Sequence, residues 1–461
     1  MATSRIDPAA PSTDEFSRDR AHLIHSLHSS AAQQHPHIWV KGRGALLWDE
    51  QGKEFLDALA GLWNVIVGHG RMELADAAAN QMRELAYASA YTGCSNRPAI
   101  ELGERLSAIS YPGIQRFFFT SGGAESNESA FKTARYFAKI AGHPDKFKVI
   151  GRRWGYHGTT MAAMSATGIS SYWPMFEPRV PGFLHIEGPY PYRFAPTATS
   201  ASDQRTPGQQ AADLLEEIIL REGPETVAAF IGEPVQGAGG VIVAPDDYWP
   251  RIRQICDRYQ VLLIADEVIT GFGRTGDWFA LKRYGIEPDI VTFAKGITSG
   301  YFPMGGIGVN QRIAQAIDSA AKETTWMHAF TYSAHPTGCA VALANLDIIE
   351  REGLVAQAGE RGAYLQKQLK SLSSHPNVGD VRGLGLMAAV ELVADKATKA
   401  EFPADQQVGI RVHQATQQRG MFTRLRGDVY NLAPAFVVAE AQIDRMVSIL
   451  GESIEAVLGR G

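Results

Sequence analysis

A chain of 461 residues, 45% hydrophobic and 20% charged, can bury a large core and should divide into a big domain and a smaller one. The formal net charge of −5 mixes both signs along the chain, so nothing forms the basic stripe of a nucleic-acid binder. Three scattered cysteines (Cys94, Cys256, Cys339) suit a reducing compartment rather than a disulfide scaffold, no run reaches the roughly 20 apolar residues that span a bilayer, and the polar residues 1–30 do not read as a signal peptide.

The first informative element is Phe117-Phe-Phe-Thr120-Ser121-Gly122-Gly123-Ala-Glu125: a predicted strand over 116–120, a turn of small residues, then a helix start. The helix is read from Ala130, Phe131, Ala134, Phe137, Ala138 and Ala141, which recur three and four residues apart. Two glycines let a ligand approach the backbone, and the first helical N–H groups point into the turn with the positive end of the dipole. That makes a phosphate cradle, although Ser-Gly-Gly-Ala-Glu is equally a helix cap. Further strands are predicted over 147–151 and 227–233. Between them the Pro-, Ser- and Thr-rich stretch 182–208, with Gly188-Pro-Tyr-Pro-Tyr-Arg193, reads as a surface excursion.

Two later runs, Leu262-Leu-Ile-Ala-Asp266-Glu-Val268 and Asp289-Ile-Val-Thr-Phe-Ala-Lys295, place strands over 261–266 and 290–294. Each is wholly apolar and ends in an ionisable residue, as suits strands covered on both faces of a parallel sheet. The carboxyl ends of such strands border the ligand crevice. A lysine delivered there can lose its charge and form a Schiff base, and an aspartate on a neighbouring strand end can pair with a protonated ring nitrogen. Lysine plus aspartate in that relation suggests pyridoxal phosphate.

A strand over 305–308 follows, and after Pro336 a helical pattern runs through Ala340, Leu343, Ala344, Leu346, Ile348 and Ile349. Beyond it Leu384, Leu386, Ala388, Val390 and Leu392 alternate as in a half-buried strand. Strands separated by helices or long connections predict an α/β chain with a large, mostly parallel sheet. Gly383-Leu-Gly385 leads into a strand pattern, which excludes a dinucleotide loop. His25, His28, His35 and His37 match no metal spacing and read as a solvated arm.

Taken together, these segments resemble the class III pyridoxal-phosphate aminotransferases of fold type I. The resemblance rests on Thr120-Ser-Gly-Gly-Ala-Glu-Ser-Asn-Glu128, Tyr156-His157-Gly158, Glu233-Pro-Val-Gln236-Gly-Ala-Gly-Gly240, Asp266-Glu-Val-Ile-Thr-Gly-Phe-Gly-Arg274, Ala294-Lys-Gly-Ile-Thr-Ser-Gly300 and Phe330-Thr331-Tyr-Ser-Ala-His335-Pro336, in order over nearly the whole chain. It implies an N-terminal segment (1–65) joined to a small C-terminal α+β domain (337–461), with a large cofactor-binding domain (66–336) between them. It also implies roles. Lys295 would hold the cofactor and shuttle a proton once displaced by substrate amine, and Asp266 would keep the pyridine nitrogen protonated. Val268, two residues on along the same strand, would pack one ring face and Tyr156 the other, beside His157. Ser121, Gly122 and Gly123 would bind the phosphate, Thr331 would reach it from the neighbouring subunit, and Glu233 would line the pocket or form a structural corner.

Within class III, the ornithine, acetylornithine and γ-aminobutyrate enzymes carry an arginine where this chain has Asn431, in Tyr430-Asn-Leu-Ala-Pro434-Ala-Phe436. Arg424, in Phe422-Thr-Arg424-Leu-Arg426-Gly-Asp428, instead resembles the mobile arginine of the ω-aminotransferases, and Trp63 resembles their pocket aromatic. Arg426 is a second candidate, and Ala435 replaces the more usual second proline. The resemblance thus implies a cytoplasmic homodimer, or a tetramer of two dimers, that moves an amino group from a primary amine or ω-amino acid to pyruvate by ping-pong kinetics. Decarboxylating transamination or an aminomutase would share every cofactor residue; a non-catalytic relative would be expected to have lost Lys295 or Asp266.

Overall fold

A computed structural model of the chain describes residues 13–29, 34, 36–195 and 204–460. Its centre is a seven-stranded sheet, numbered here in chain order: β1 (Ile114–Thr120), β2 (Lys148–Arg152), β3 (Phe183–Ile186), β4 (Val227–Gly232), β5 (Leu262–Asp266), β6 (Ile290–Phe293) and β7 (Gly305–Asn310). The spatial order is β1-β7-β6-β5-β4-β2-β3, and β7 alone runs against both its neighbours. Every residue of β4, β5 and β6 is buried, because these apolar, β-branched runs are covered on both faces.

β3 lies inside the stretch that reads from sequence as a surface excursion. It is a four-residue edge strand, too short to stand out before the proline cluster that follows. Residues 196–203 of that stretch, and 1–12, 30–33 and His35 of the N-terminal segment, lie outside the described residues. Nor is His37 part of a solvated arm: its ring stacks on Trp39 at 5.1 Å and meets Phe55 and Phe422 edge-on, and burial lowers its pKa.

Strands Trp39–Arg43, Leu46–Asp49 and Glu54–Asp57 form a second sheet completed by Met421–Phe422, so the two ends of the chain fold together. A third sheet holds Val378–Gly383, Ala388–Leu392, Arg424–Arg426 and Val429–Leu432. The alternation through 384–392 is therefore not one half-buried strand. It spans a hairpin turn and then Ala388–Leu392, which is buried at every position between two neighbouring strands. No helix among the described residues is long and apolar enough to cross a membrane.

Candidate active site

The register of the sheet brings the motif residues to one level. Ala265 stands opposite Gly232, Asp266 opposite Thr292, Phe293 opposite Gly306, and Gly305 opposite Thr120. The parallel strands β4, β5 and β6 thus end side by side, β1 ends at the same level across the start of antiparallel β7, and the residues around these ends line one cleft of about 380 Å³. All the predicted cofactor residues except Thr331 line it.

On one wall, β1 turns at Ser121–Gly122 into helix α1 (Gly123–Ile140). The first bond of that helix runs from the Ser126 N–H to the Gly122 carbonyl, so the N–H groups of Gly123 and Ala124 precede it and have no acceptor within the helix. Glu125 accepts the Ser121 N–H over 2.8 Å. The carboxylate thus takes the N–H just before the helix and leaves those of Gly123 and Ala124 without an acceptor in it. A Cβ at Gly123 would stand 2.9 Å from Val268, which explains glycine there.

Asp266 is 3% exposed. Its Oδ2 accepts from Asn127 Nδ2 (2.9 Å) and His157 Nδ1 (2.7 Å), and its Oδ1 from the Val268 N–H (3.1 Å). Burial pushes this carboxyl up, but the His157 contact, with Asn127 and Val268, outweighs it and leaves the pKa below the ordinary value. Val268 is not on the Asp266 strand. The strand ends at Asp266, and the carboxylate captures the Val268 N–H to start a turn, which still delivers Val268 to the cleft. His157 stands beneath Asp266, and the acceptor beside it makes Nδ1 the protonated nitrogen. Its Nε2 is buried and has no partner. Asn127 was not singled out from sequence. The signal was present, because it lies one helical turn from Gly123 on α1 and so on the cradle side.

Lys295 follows β6 in a short turn, with φ of 45°. Burial lowers its pKa, opposed by the charges of Asp266 and Glu233 and assisted by Arg424. The buried Glu233 carboxylate accepts the N–H groups of Tyr156 (2.9 Å) and Gly237 (3.0 Å). It both lines the cleft and forms a corner. The Glu233 carbonyl in turn accepts from Arg152, a side chain that sequence reading missed. Tyr156 opens onto the cleft and leans against Tyr172 with ring centres 5.7 Å apart.

Three predicted site residues stand apart. Thr331 is exposed, outside its own chain's cleft, and its carbonyl accepts from Tyr87. Trp63 does not line the cleft. It is 3% exposed in an apolar cluster with Leu59, Val235, Val429 and Ile269, of which Ile269 does line it. Its turn is folded inward because the buried Asp57 carboxylate accepts the N–H groups of Leu59 and Gly61. Arg424 is half-buried, and its charge is felt at both Lys295 and Tyr156. Among the described residues it has no carboxylate partner. Arg426, by contrast, lies 4.2 Å over the Trp154 ring, with its pKa lowered by burial. Asn431 is 1% exposed and faces Arg424 across the strand pair.

The donor set suits pyridoxal phosphate: first-turn N–H groups for a phosphate, a carboxylate held ionised for a ring nitrogen, and an amine held below its ordinary pKa. Comparison with known proteins agrees. Residues 28–454 match the sequence model of the family Aminotransferase class-III. Putrescine–pyruvate aminotransferase of Pseudomonas aeruginosa is 41% identical over 419 residues, covering 91% of this chain and 90% of that one. Diaminobutyrate–2-oxoglutarate transaminase of Halomonas elongata is 40% identical over 446 residues, 94% of each chain. Among solved structures, an (S)-enantioselective omega-transaminase from Thermomicrobium roseum superposes with a TM-score of 0.93 at 47% identity, covering 98% of this chain and 100% of that one. An omega transaminase from Pseudomonas jessenii in complex with PMP gives 0.91 at 39%, covering 96% and 97%.

Proposed function

Because the chain belongs to the class III aminotransferases, which use pyridoxal phosphate, we propose that it moves an amino group from a primary amine or ω-amino acid to pyruvate. The observation that carries this reading is Arg424: half-buried, near enough for its charge to act on Lys295 and Tyr156, without a carboxylate partner among the described residues, and opposite Asn431 where a fixed arginine would stand. A permanently buried arginine would favour donors that carry a carboxylate. A half-buried one can meet a keto acid in one half-reaction and withdraw from an apolar amine in the other. The curated relatives include both a pyruvate and a 2-oxoglutarate enzyme. Pyruvate is favoured because Arg424 is the arginine of the strand whose charge reaches Lys295 and Tyr156, whereas Arg426 lies over Trp154.

The cofactor supplies a carbonyl that bonds amines and a ring that accepts electrons from the substrate carbon. The chain supplies the rest. Asp266 keeps a negative charge for the ring nitrogen, with Asn127 and His157 holding it in place. The Lys295 amine, held below its ordinary pKa, binds the cofactor and then takes and returns the substrate proton. Ser121 and the first N–H groups of α1 hold the phosphate, and Thr331 adds a contact to the partner's site in a cytoplasmic homodimer. The test offers purified protein a panel of amines with pyruvate or 2-oxoglutarate and measures alanine or glutamate. Alanine with simple amines is expected. Glutamate formed faster than alanine across the panel would overturn the acceptor assignment.

A further inference from the structure

The turn that carries Lys295 is poorly held by its own backbone. Lys295 and Ser299 both adopt left-handed φ, 45° and 49°, which side chains with a Cβ avoid unless the surroundings impose it. The turn's internal bonds are long: 3.2 Å from the Ile297 N–H to the Ala294 carbonyl, 3.4 Å from Thr298 to Lys295, and 3.3 Å from Ser299 to Gly296. Shorter bonds come from outside. Asn345, fully buried on the helix Pro336–Arg351, donates through Nδ2 to the carbonyls of Gly296 (2.9 Å) and Ile297 (3.0 Å). Its Oδ1 accepts from the Ser299 hydroxyl (2.7 Å), which itself accepts the Val67 N–H (3.3 Å).

We propose that Asn345 is a positioning residue for Lys295, its amide clamping both sides of the left-handed turn so that the lysine stem enters the cleft at one height and direction. Both amide hydrogens and the carbonyl of Asn345 are committed to that turn, and none to its own helix neighbours. The charges acting on the lysine amine come from Asp266, Glu233 and Arg424 on three other segments, so a shift of the turn changes all three distances together. The inference rests on Lys295 being the attachment residue.

The test uses cofactor-loaded enzyme. Asn345→Leu keeps the branched shape but leaves the Ile297 carbonyl without its donor and the Gly296 carbonyl with only the 3.3 Å bond from Ser299. The pH midpoint of the visible absorption of the lysine-bound cofactor should move by about half a unit or more. The kcat should fall about ten- to a hundredfold, with KM for the keto acid within about twofold. Leu346→Ala, the next residue of the same helix and also buried, should lower the melting temperature and leave the midpoint in place. If Asn345→Leu does not fold, Ser299→Ala removes one of the three bonds and should move the midpoint the same way by less. An unmoved midpoint and kcat in the variant that folds, or an equal displacement in Leu346→Ala, would overturn the proposal. Borohydride trapping of the parent at another lysine would instead overturn the attachment reading beneath it.

Discussion

His157 donates its Nδ1–H to Oδ2 of Asp266 over 2.7 Å, with the two side chains only 1% and 3% exposed. Burial alone would raise the Asp266 pKa; the His157 hydrogen bond is the largest contribution that reverses it. A depressed folded-state pKa means the carboxylate stays charged as pH falls, until the pH passes through that lowered value. His157→Phe removes the donor and leaves burial to dominate. The acid limb of the pH–rate profile for the amine half-reaction should therefore move to higher pH. Asp266→Asn, which keeps the shape and removes the charge, should cut turnover by about a hundredfold or more while cofactor stays bound through the untouched cradle. Near-normal turnover in that variant would remove Asp266 from the role.

Lys295 gives the most direct check. The purified protein should be yellow, and borohydride should fix the cofactor covalently to the peptide containing Lys295. Lys295→Ala should lose both the trapping and the turnover. Label recovered on another lysine would relocate the site.

The large sheet was legible because its central strands are buried on both faces: Val227–Gly232, Leu262–Asp266 and Ile290–Phe293 are unbroken apolar runs, and an ionisable residue at the end of the second and just beyond the third announces itself. Phe183–Ile186 was not legible, since four residues at a sheet edge carry too little pattern. Val268 was misplaced on the Asp266 strand because an alternation rule cannot foresee a side chain capturing a backbone N–H two residues on. Asn345 and Arg152 were invisible for a similar reason. A polar residue inside an apolar run shows its function only through what it touches across long stretches of chain. Trp63, which its motif sets on the pocket wall, packs in an apolar cluster with Ile269, a residue that lines the cleft.

Thr331 is exposed on its own chain, as a contact made to a partner's cofactor requires. Thr331→Ala should weaken cofactor retention by about 1.5–3 kcal/mol, one hydrogen bond to a charged acceptor, measured by equilibrium dialysis. Diluting the parent until the proposed dimer dissociates should have the same effect. A monomeric parent that retains cofactor as tightly as the dimer would remove Thr331 from the site.

Arg424 and Arg426 sit on the same short strand two residues apart, and their surroundings separate them. Arg426 lies over Trp154, where a guanidinium on an aromatic face contributes about 0.5–2 kcal/mol to folding. Arg424 acts through its charge on Lys295 and has no carboxylate partner among the described residues, so its guanidinium is available for a bidentate bond to a keto acid and costs little when it returns to solvent. Arg424→Ala should raise the KM for pyruvate about ten- to a hundredfold, equivalent to about 1.5–3 kcal/mol, and change the half-reaction with an apolar amine much less. Arg426→Ala should lower the melting temperature with little change in either half-reaction. Equal losses in both half-reactions of Arg424→Ala would mark it as a structural arginine. A pyruvate defect confined to Arg426→Ala would place carboxylate binding two residues along, with Trp154 releasing its cation when the keto acid enters.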